Sequence, residues 1–526
     1  MRPAVATSKR LRAASTYLLP AILTVAFFLP GINQGALRTD SDLYGAIGLQ
    51  AWNTGRLFPL MTGDQPYLNK PPLAFWIHGA SMHLLGPSLL SARLPTLLAA
   101  LGAVLCTVHA VRAASGRRAA LLAGLVLAAT PEFFRHMHAV SLDMWLTFFF
   151  SAALALAVTA SRRRAAGAPN AALWTIAIGI PIGLSLLVKP LVGFLPLGIL
   201  SAWLLLSGPR RAATLVWLLA AAIIAIAIAL PWHLAMHARF GDAFLARYIG
   251  DQVVDRATGA AHNPSPWFNY ARTLTRTYWP WLPLAVIAMV HAGRSLAGRS
   301  SPRARALALP LLWTVVWIVC LSAFGDKAGR YLLPVYPALS WLIGAWAASL
   351  RPIALRRAIA RWAPPVALGA CLLAVVLSFL PVTVHKPRSP QWAQLNTFLD
   401  AQPADTELWA APGAVTLGAN IYLDRGTWPR TARASDDLQA AVAQARTLAP
   451  AGDPPAGALL ILRKGSRFGP RPSDQPVFEA GPIIITRVTT PWDGAFTLQR
   501  ESGDAQSPPA SSPRDRSGDQ DDSGAR

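Results

Sequence analysis

Residues 39–76 read TDSDLYGAIGLQAWNTGRLFPLMTGDQPYLNKPPLAFW, and the rest of the chain is read outward from this stretch. It follows an apolar segment, yet it gathers Asp40, Asp42, Arg56, Asp64 and Lys70 in a chain that is only 14% charged. Charges beside a membrane are costly unless they face water, a partner or a substrate, so they point to a functional site. Between the two acids and the Lys-Pro-Pro turn, Leu43 to Trp52 is predicted to be helical, because Leu43, Ile47 and Ala51 share one face at i, i+4 and i+8. That face suits a helix lying in the membrane interface, with Asp40 at one end of a groove and Lys70 at the other. The alternative is an extracytoplasmic loop with ordinary solvated charges, since no motif here is as specific as a phosphate-binding loop.

The surroundings fix the class. The chain has 526 residues, 53% of them hydrophobic, and 19 tryptophans, the composition of an α-helical polytopic membrane protein. A formal net charge of +23 would suit a nucleic-acid binder, but the basic residues sit in short runs between apolar segments. That is the positive-inside pattern, and no nucleic-acid partner is expected. Cys106, Cys320 and Cys371 all fall within apolar segments without ligand or disulfide spacing, and read as small buried hydrophobes. Met1 to Arg12 is basic and leads into an apolar run with no convincing cleavage site, so a first transmembrane helix with a cytoplasmic N-terminus is expected.

Apolar spans are expected at 15–32, 92–111, 119–134, 142–160, 171–188, 190–207, 213–232, 277–292, 307–324, 331–349 and 364–383, with 73–85 a shorter re-entrant or interfacial helix. The basic runs Lys9/Arg10/Arg12, Arg112/Arg117/Arg118, Arg162–Arg164, Arg210/Arg211, Arg294–Arg305 and Arg351–Arg361 then share the cytoplasmic side. The acids test that orientation independently. All nine before residue 384 (Asp40, Asp42, Asp64, Glu132, Asp143, Asp242, Asp251, Asp255 and Asp326) fall in loops on the other side. Three regions follow: a transmembrane domain over 1–383 with periplasmic loops, a small periplasmic α/β domain over 384–500, and a Ser/Pro/Asp/Gly-rich tail over 501–526 that reads as disordered. Strand-like runs at 408–413, 458–463 and 482–488 and a helix around 435–448 support the middle assignment.

The external loops carry the chemistry. Asp40 and Asp42 form an Asp-x-Asp pair of the kind that holds a metal against a pyrophosphate, but nucleotide sugars are not expected outside the cytoplasm. A carboxylate base acting on an acceptor hydroxyl is the better reading for Asp40. Lys70, Lys189, Lys327 and Arg330 occupy tight external turns; each alone can snorkel or anchor a helix, and together they make a site for an anion such as a lipid phosphate. Asp143 opens a span from outside, where it orients a cation or caps the helix. His136/His138 and His233/His237 lack a matching acid at ligand spacing, so no metal or other cofactor is expected; His262 reads as a loop-ordering or substrate-contacting residue.

The order DxxxY, YxxKPPLxxW, RLP, an Asp opening a later span, a VK turn, an H-x-P-x-W-x-x-Y-like loop and K-x-x-x-YLLPxxP resembles the polyprenyl-phosphate-dependent glycosyltransferases of GT-C fold. The resemblance covers roughly residues 15–350 and is most specific over Asp40, Tyr44, Tyr67, Lys70, Pro71, Pro72, Arg93, Leu94 and Pro95. It is similar above all to the branch with the lipid A aminoarabinose transferase, related to the protein O-mannosyltransferases. The resemblance implies about 11–13 transmembrane helices and a periplasm-facing site in the bacterial inner membrane. There a sugar passes with inversion from undecaprenyl phosphate to a hydroxyl or phosphate acceptor, lipid A or another envelope molecule. It implies catalytic roles for Asp40 and Asp143, and donor-phosphate contacts for Lys70, Lys189, Lys327 and Arg330. Asp42, Tyr44, Tyr67, Asn69, His262 and Tyr331 are assigned to substrate contact, and the partners are the lipid-linked donor, the acceptor and membrane lipids. Ser41, Asn69 and Pro190 depart from residues common in the family, which leaves the sugar open. Two other readings remain at this point: a protein O-mannosyltransferase-like enzyme, and a transporter or flippase for a lipid-linked sugar. The latter would place charges inside spans near the midplane, where this chain has almost none.

Overall fold

The computed structural model describes residues 2–350 except 34–36, 38–39, 190–191, 207–210, 259–264, 299–301 and 326; four residues between 361 and 369; and 390–403, 405–411, 415–426, 428–431, 454–463, 468–469, 473–480, 483–490 and 497–498. His262, Asp326, Pro190, Cys371, most of the span expected at 364–383, the helix expected at 435–448 and the tail 501–526 lie outside the described residues. The chain divides into two compact units, Met1–Ser389 with Thr416–Trp428, and Pro390–Val415 with Pro429–Arg526.

The first unit is helical. In chain order it begins with α1 (Arg2–Phe28), α2 (Asp40–Asn53), α3 (Leu73–Leu85), α4 (Leu89–Ser115), α5 (Arg117–Ala128), α6 (Pro131–Met137), α7 (Leu142–Ala165), α8 (Ala171–Ile176) and α9 (Gly179–Leu186). It continues with α10 (Leu195–Leu206), α11 (Arg211–Leu245), α12 (Asp255–Thr258), α13 (Asn269–Thr277), α14 (Leu282–Gly298), α15 (Pro302–Ala323) and α16 (Tyr336–Ser349). Among the described residues five helical segments are long and apolar enough to cross a membrane: Leu89–Ser115, Leu142–Ala165, Arg211–Val254, Ala306–Ala323 and Gly329–Ser349. Five shorter apolar helices accompany them, including Leu73–Leu85. The run expected to span 119–134 stops at Ala128, because Pro131 has no N–H to continue the ladder and opens α6 instead. The run expected over 171–188 is likewise divided into α8 and α9.

Local chemistry sets the helix starts. Ser88 and Ser91 close a capping box on α4, with each backbone N–H donating to the other's hydroxyl at 3.1 and 3.0 Å. Ser141 caps α7 by accepting from the Met144 N–H at 3.3 Å, which places Asp143 in the first turn. The same helix ends on Arg162, Arg163 and Arg164, so acid and base lie where the helix dipole favours each.

The site-bearing helix α2 differs from expectation. It starts at Asp40, not Leu43, and nine of its fourteen residues are buried, so it does not lie at an interface on one apolar face. Gly48 and Gly79 explain the burial. A Cβ on Gly79 would stand 2.1 Å from the Gly48 carbonyl oxygen, and one on Gly48 would stand 2.4 Å from the Phe75 oxygen, so α2 and α3 pack backbone against backbone. His78 then ties α3 to two further helices. Its Nδ1 donates to the Ala92 carbonyl at 2.8 Å, and its Nε2 accepts from the Trp145 indole at 3.2 Å.

The second unit holds α17 (Pro390–Asp400) and a five-stranded mixed sheet of β3 (Leu408–Ala410), β4 (Arg430–Thr431), β5 (Leu459–Arg463), β7 (Gln475–Ala480) and β8 (Ile483–Arg487). Its order is β4-β3-β5-β8-β7, with β3 parallel to both β4 and β5, and β8 antiparallel to β5 and β7. The hairpin β1 (Met61–Thr62) with β2 (Gln65–Pro66) belongs to the first unit, and β6 (Phe468–Gly469) pairs with β9 (Thr497–Leu498). Strands β3, β5 and β8 fall within the three apolar runs. Strand β7 carries Pro476 and a register shift, tolerated because it lies at the edge of the sheet. One further helix, α18 (Val415–Arg425), was not anticipated; its residues from Thr416 onward belong to the first unit, where Ala419 and Tyr422 join the main core.

Candidate active site

Four chain segments bring charge to one cavity. Asp40 begins α2, Asp143 begins α7, Lys189 follows α9, and Arg330 sits in the 3-10 turn Gly329–Val335 that leads into α16. A fifth, the Lys70-Pro-Pro turn, is aligned with the Lys189 turn by a backbone bond in which the Leu73 N–H donates to the Leu187 carbonyl at 3.0 Å. The cavity measures about 300 Å³ and is lined by five basic side chains (Lys70, Arg93, Arg135, Lys189 and Arg330) against two carboxylates, Asp40 and Asp143.

Asp143 is the buried centre of this network. Lys189 Nζ reaches its Oδ1 at 2.5 Å, and Arg330 Nε lies 3.6 Å from its Oδ2. Arg330 turns its Nη2 to Asp40 Oδ2 at 3.1 Å, so one guanidinium bridges both acids. The two carboxylates differ in access: the Asp143 side chain is 7% exposed and that of Asp40 44%. Tyr331 lies beneath two of the cations, 4.4 Å from Lys189 Nζ and 5.6 Å from the Arg330 guanidinium. Lys70 stands over the Tyr44 ring at 5.4 Å, with Gln252 Oε1 at 3.5 Å. Burial first, and then the neighbouring Tyr67 and Asp40, hold the Tyr44 phenol well above its ordinary range, so it stays a proton donor. An exposed carboxylate beside fixed cations can take a proton or orient an acceptor, while the cations receive a departing anion.

Of the residues singled out in the sequence, Asp40, Tyr44, Lys70, Asp143, Lys189, Arg330 and Tyr331 line this cavity. Asp42, Tyr67, Asn69 and Lys327 are not among its lining residues. Lys327 is turned inward, its Nζ donating to the Ser265 carbonyl at 2.9 Å and to the Phe324 carbonyl, so its charge is directed at backbone oxygens. Asp42 is 4% exposed and its Oδ2 accepts from Asn420 Nδ2 of α18 at 3.0 Å; beside it, Asn53 Nδ2 donates to the Tyr422 hydroxyl at 3.3 Å. The Asp-x-Asp pair is thereby split between a cavity residue and a packing residue. Tyr67 packs against Phe75 at 5.4 Å between ring centres.

A cluster of Glu132, Arg135 and His136, the last two of which line the cavity, was not recognised as a group in the sequence. Glu132, at the start of α6, accepts from Arg135 Nε at 3.0 Å, from Arg135 Nη2, and from His136 Nε2 at 3.2 Å, and Arg135 and His136 both line the cavity. The i, i+3, i+4 spacing in PEFFRH was the available signal. Arg93, buried at 1% exposure, donates from Nη1 to the carbonyls of Gly31 and Ile32 at 2.7 and 2.8 Å and joins α4 to the loop after α1. The histidine pairs do not converge. His138 lies between the carbonyls of Phe134 and Phe28, and His233 accepts from the Tyr248 hydroxyl at 2.7 Å. Among the described residues no group of three His, Cys, Asp or Glu side chains is arranged to hold a metal ion.

Comparison with solved structures places the fold in a known architecture. ArnT from Cupriavidus metallidurans bound to undecaprenyl phosphate superposes with a TM-score of 0.66 at 17% identity, covering 89% of this chain and 97% of that one. The chain has a GT-C fold. The archaeal oligosaccharyltransferase AglB from Archaeoglobus fulgidus shares it more distantly, with a TM-score of 0.52 at 15% identity over 80% of this chain and 64% of that one. By sequence, a family model described as dolichyl-phosphate-mannose-protein mannosyltransferase matches residues 69–234. The undecaprenyl phosphate-alpha-4-amino-4-deoxy-L-arabinose arabinosyl transferase of Pectobacterium carotovorum is 26% identical over 353 residues, and that of Pseudomonas paraeruginosa is 28% identical over 335. These alignments cover 65% and 62% of this chain but only 60% and 58% of the relatives' lengths. With its apolar helices, this GT-C chain is a membrane protein.

Proposed function

We propose that the protein is an inverting glycosyltransferase of the bacterial inner membrane. It would move a sugar, 4-amino-4-deoxy-arabinose or a related one, from undecaprenyl phosphate to a periplasmic acceptor, most directly lipid A. The observation that carries this reading is the Lys189–Asp143–Arg330–Asp40 network, which sets an accessible carboxylate beside cations on the wall of one cavity. The donor-ligand chemistry named for the relatives supports it. An acceptor oxygen attacks the anomeric carbon, the bond from that carbon to the donor phosphate oxygen breaks, and the electron pair leaves with undecaprenyl phosphate. Lys70, Lys189 and Arg330 stabilise the charge on that leaving group. Asp40 takes the proton of a hydroxyl acceptor or orients the acceptor through Arg330. The site faces the periplasm in this reading, with the N-terminus and the basic loops cytoplasmic.

The mannosyltransferase family match favours a protein acceptor as the second reading. Lipid A mass spectra from cells lacking the protein, and from the same cells expressing wild type or Asp40→Asn, separate the two. A mass increment of one sugar restored only by wild type supports the proposal. Identical spectra, with sugar label recovered on protein, would replace it by the second reading.

A further inference from the structure

Resting on the transferase reading above, we propose that Arg135, held by Glu132 and His136, forms the subsite for a phosphate group on the acceptor glycolipid. The five basic residues of the cavity are not equivalent. Lys189 and Arg330 face Asp143 and Asp40, and Arg93 commits its Nη1 to two backbone carbonyls. Lys70 stands with Tyr44 and Gln252, beside the Lys189 turn. Arg135 is the remaining guanidinium, and its carboxylate partner, Glu132, is not among the residues lining the cavity.

The geometry of that pairing suits a second anion. Guanidinium presents five N–H donors in planar forks, and Glu132 occupies the fork formed by Nε and Nη2. The fork on the other edge, Nη1 with Nη2, matches a phosphate in the same bidentate manner, although Nη2 also lies 3.4 Å from His136 Nε2. Arg135 is 65% exposed whereas Glu132 is 4% exposed, so the held edge is inside and much of the side chain is open. His136 Nε2 donates to the same Glu132 oxygen at 3.2 Å, which fixes the carboxylate from a second direction. Burial pushes Glu132 up, but the bonds and charges of His136 and Arg135 outweigh it and hold the carboxyl down at about 2, so it stays ionised and keeps the guanidinium in place.

An anionic acceptor also makes sense of the charge excess. It approaches a donor that already carries a phosphate and a cavity that holds Asp40, and like charges must be offset by a cation outside the donor's set. A phosphate acceptor needs no base: its ionised oxygen forms the bond to the anomeric carbon as the bond to the donor phosphate oxygen breaks, and the electron pair leaves with undecaprenyl phosphate. Asp40 then acts by orienting Arg330.

The test measures binding to the full chain in nanodiscs, with bisphosphorylated lipid A, fully dephosphorylated lipid A and undecaprenyl phosphate as separate probes. Arg135→Gln is expected to weaken bisphosphorylated lipid A by about ten- to a hundredfold, leaving the other two probes within about twofold of wild type. Arg135→Lys should recover only part of the affinity, because an ammonium keeps the charge and lacks the fork. Unchanged lipid A binding in Arg135→Gln would overturn the proposal. So would an equal loss of undecaprenyl phosphate binding, which would put Arg135 on the donor side. If the glutamine variant does not fold, full affinity in Arg135→Lys overturns the bidentate clamp and partial affinity supports it. Failure of wild type to bind undecaprenyl phosphate sinks the transferase reading itself, a distinct result from losing lipid A alone.

Discussion

Asp143→Asn and Asp40→Asn separate the two carboxylates that share Arg330. Asparagine keeps the shape of each side chain and removes only the charge. Breaking a buried ion pair by neutralising one partner costs roughly 3–5 kcal/mol, because the other charge is left buried. At Asp143 the loss should fall short of the upper figure: Arg330 keeps Asp40 at 3.1 Å, and Lys189 keeps the Tyr331 face at 4.4 Å, an interaction worth about 0.5–2 kcal/mol. About 2–4 kcal/mol of destabilisation is therefore expected for Asp143→Asn. Asp40 pairs at the open side of the cavity, where both side chains are more than a third exposed, so its neutralisation should cost less than about 1 kcal/mol. The activity effect runs the other way for Asp40: sugar transfer should fall with the fold intact, by about 10²–10⁴ where the acceptor is a hydroxyl and Asp40 is its general base. Denaturation of the purified protein by SDS, followed by circular dichroism, measures the first quantity, and mass spectrometry of lipid A measures the second. Asp143→Asn as stable as wild type, or Asp40→Asn as unstable as Asp143→Asn, would refute the assignment of Asp143 as the buried anchor.

Further outcomes follow from the same geometry. Gly79→Ala puts a methyl group where only 2.1 Å is available to the Gly48 oxygen, so it should destabilise by about 1–3 kcal/mol. Separating α2 from α3 by about 1 Å should also lower transfer about a hundredfold; unchanged melting and activity would deny the close packing. Lys70→Ala should weaken undecaprenyl phosphate binding by about tenfold or more, read by titration in nanodiscs, and an unaltered affinity would remove Lys70 from the donor site. Asn420→Ala removes the bond to the buried Asp42 carboxylate and should cost about 1.5–3 kcal/mol of stability, visible as a lower melting temperature with donor affinity retained. The folded-state pKa of Glu132 is depressed from 4.5 to about 2, so its stabilisation is complete above pH 4.5 and is lost as pH falls to 2. Wild type should therefore lose melting temperature through that window more steeply than Glu132→Gln, and parallel curves would contradict the ion cluster.

The unexpected placements show where sequence reasoning stops. Asp40, Lys70, Asp143, Lys189 and Arg330 stood out because each is a charge in a short polar stretch of an apolar chain. Lys327 stood out for the same reason, but its ammonium is directed at the carbonyls of Ser265 and Phe324, and no local pattern distinguishes a lysine that faces a cavity from one that turns inward. Asp42 is two residues from Asp40, yet its partner Asn420 is 378 positions along the chain, on a helix the sequence did not announce. The Glu132 cluster was local and legible in principle, since its members sit at i, i+3 and i+4, but it reads as an ordinary solvated helix turn until its burial is known.

What the sequence determined by itself is therefore what depends on transfer between water and lipid. That includes a polytopic helical membrane protein and the short polar stretches between apolar segments that carry its charges. These follow residue by residue from hydropathy and the cost of burying charge, which need no knowledge of distant neighbours. The tertiary structure alone decided which charges are paired, which are buried and which are open to a ligand. It closed α2 onto α3 through two glycines, set one guanidinium between two carboxylates from helices a hundred residues apart, and turned Lys327 away. Those outcomes depend on contacts between segments remote in sequence, and the energy of a charge changes several-fold with the partner and dielectric that such contacts supply.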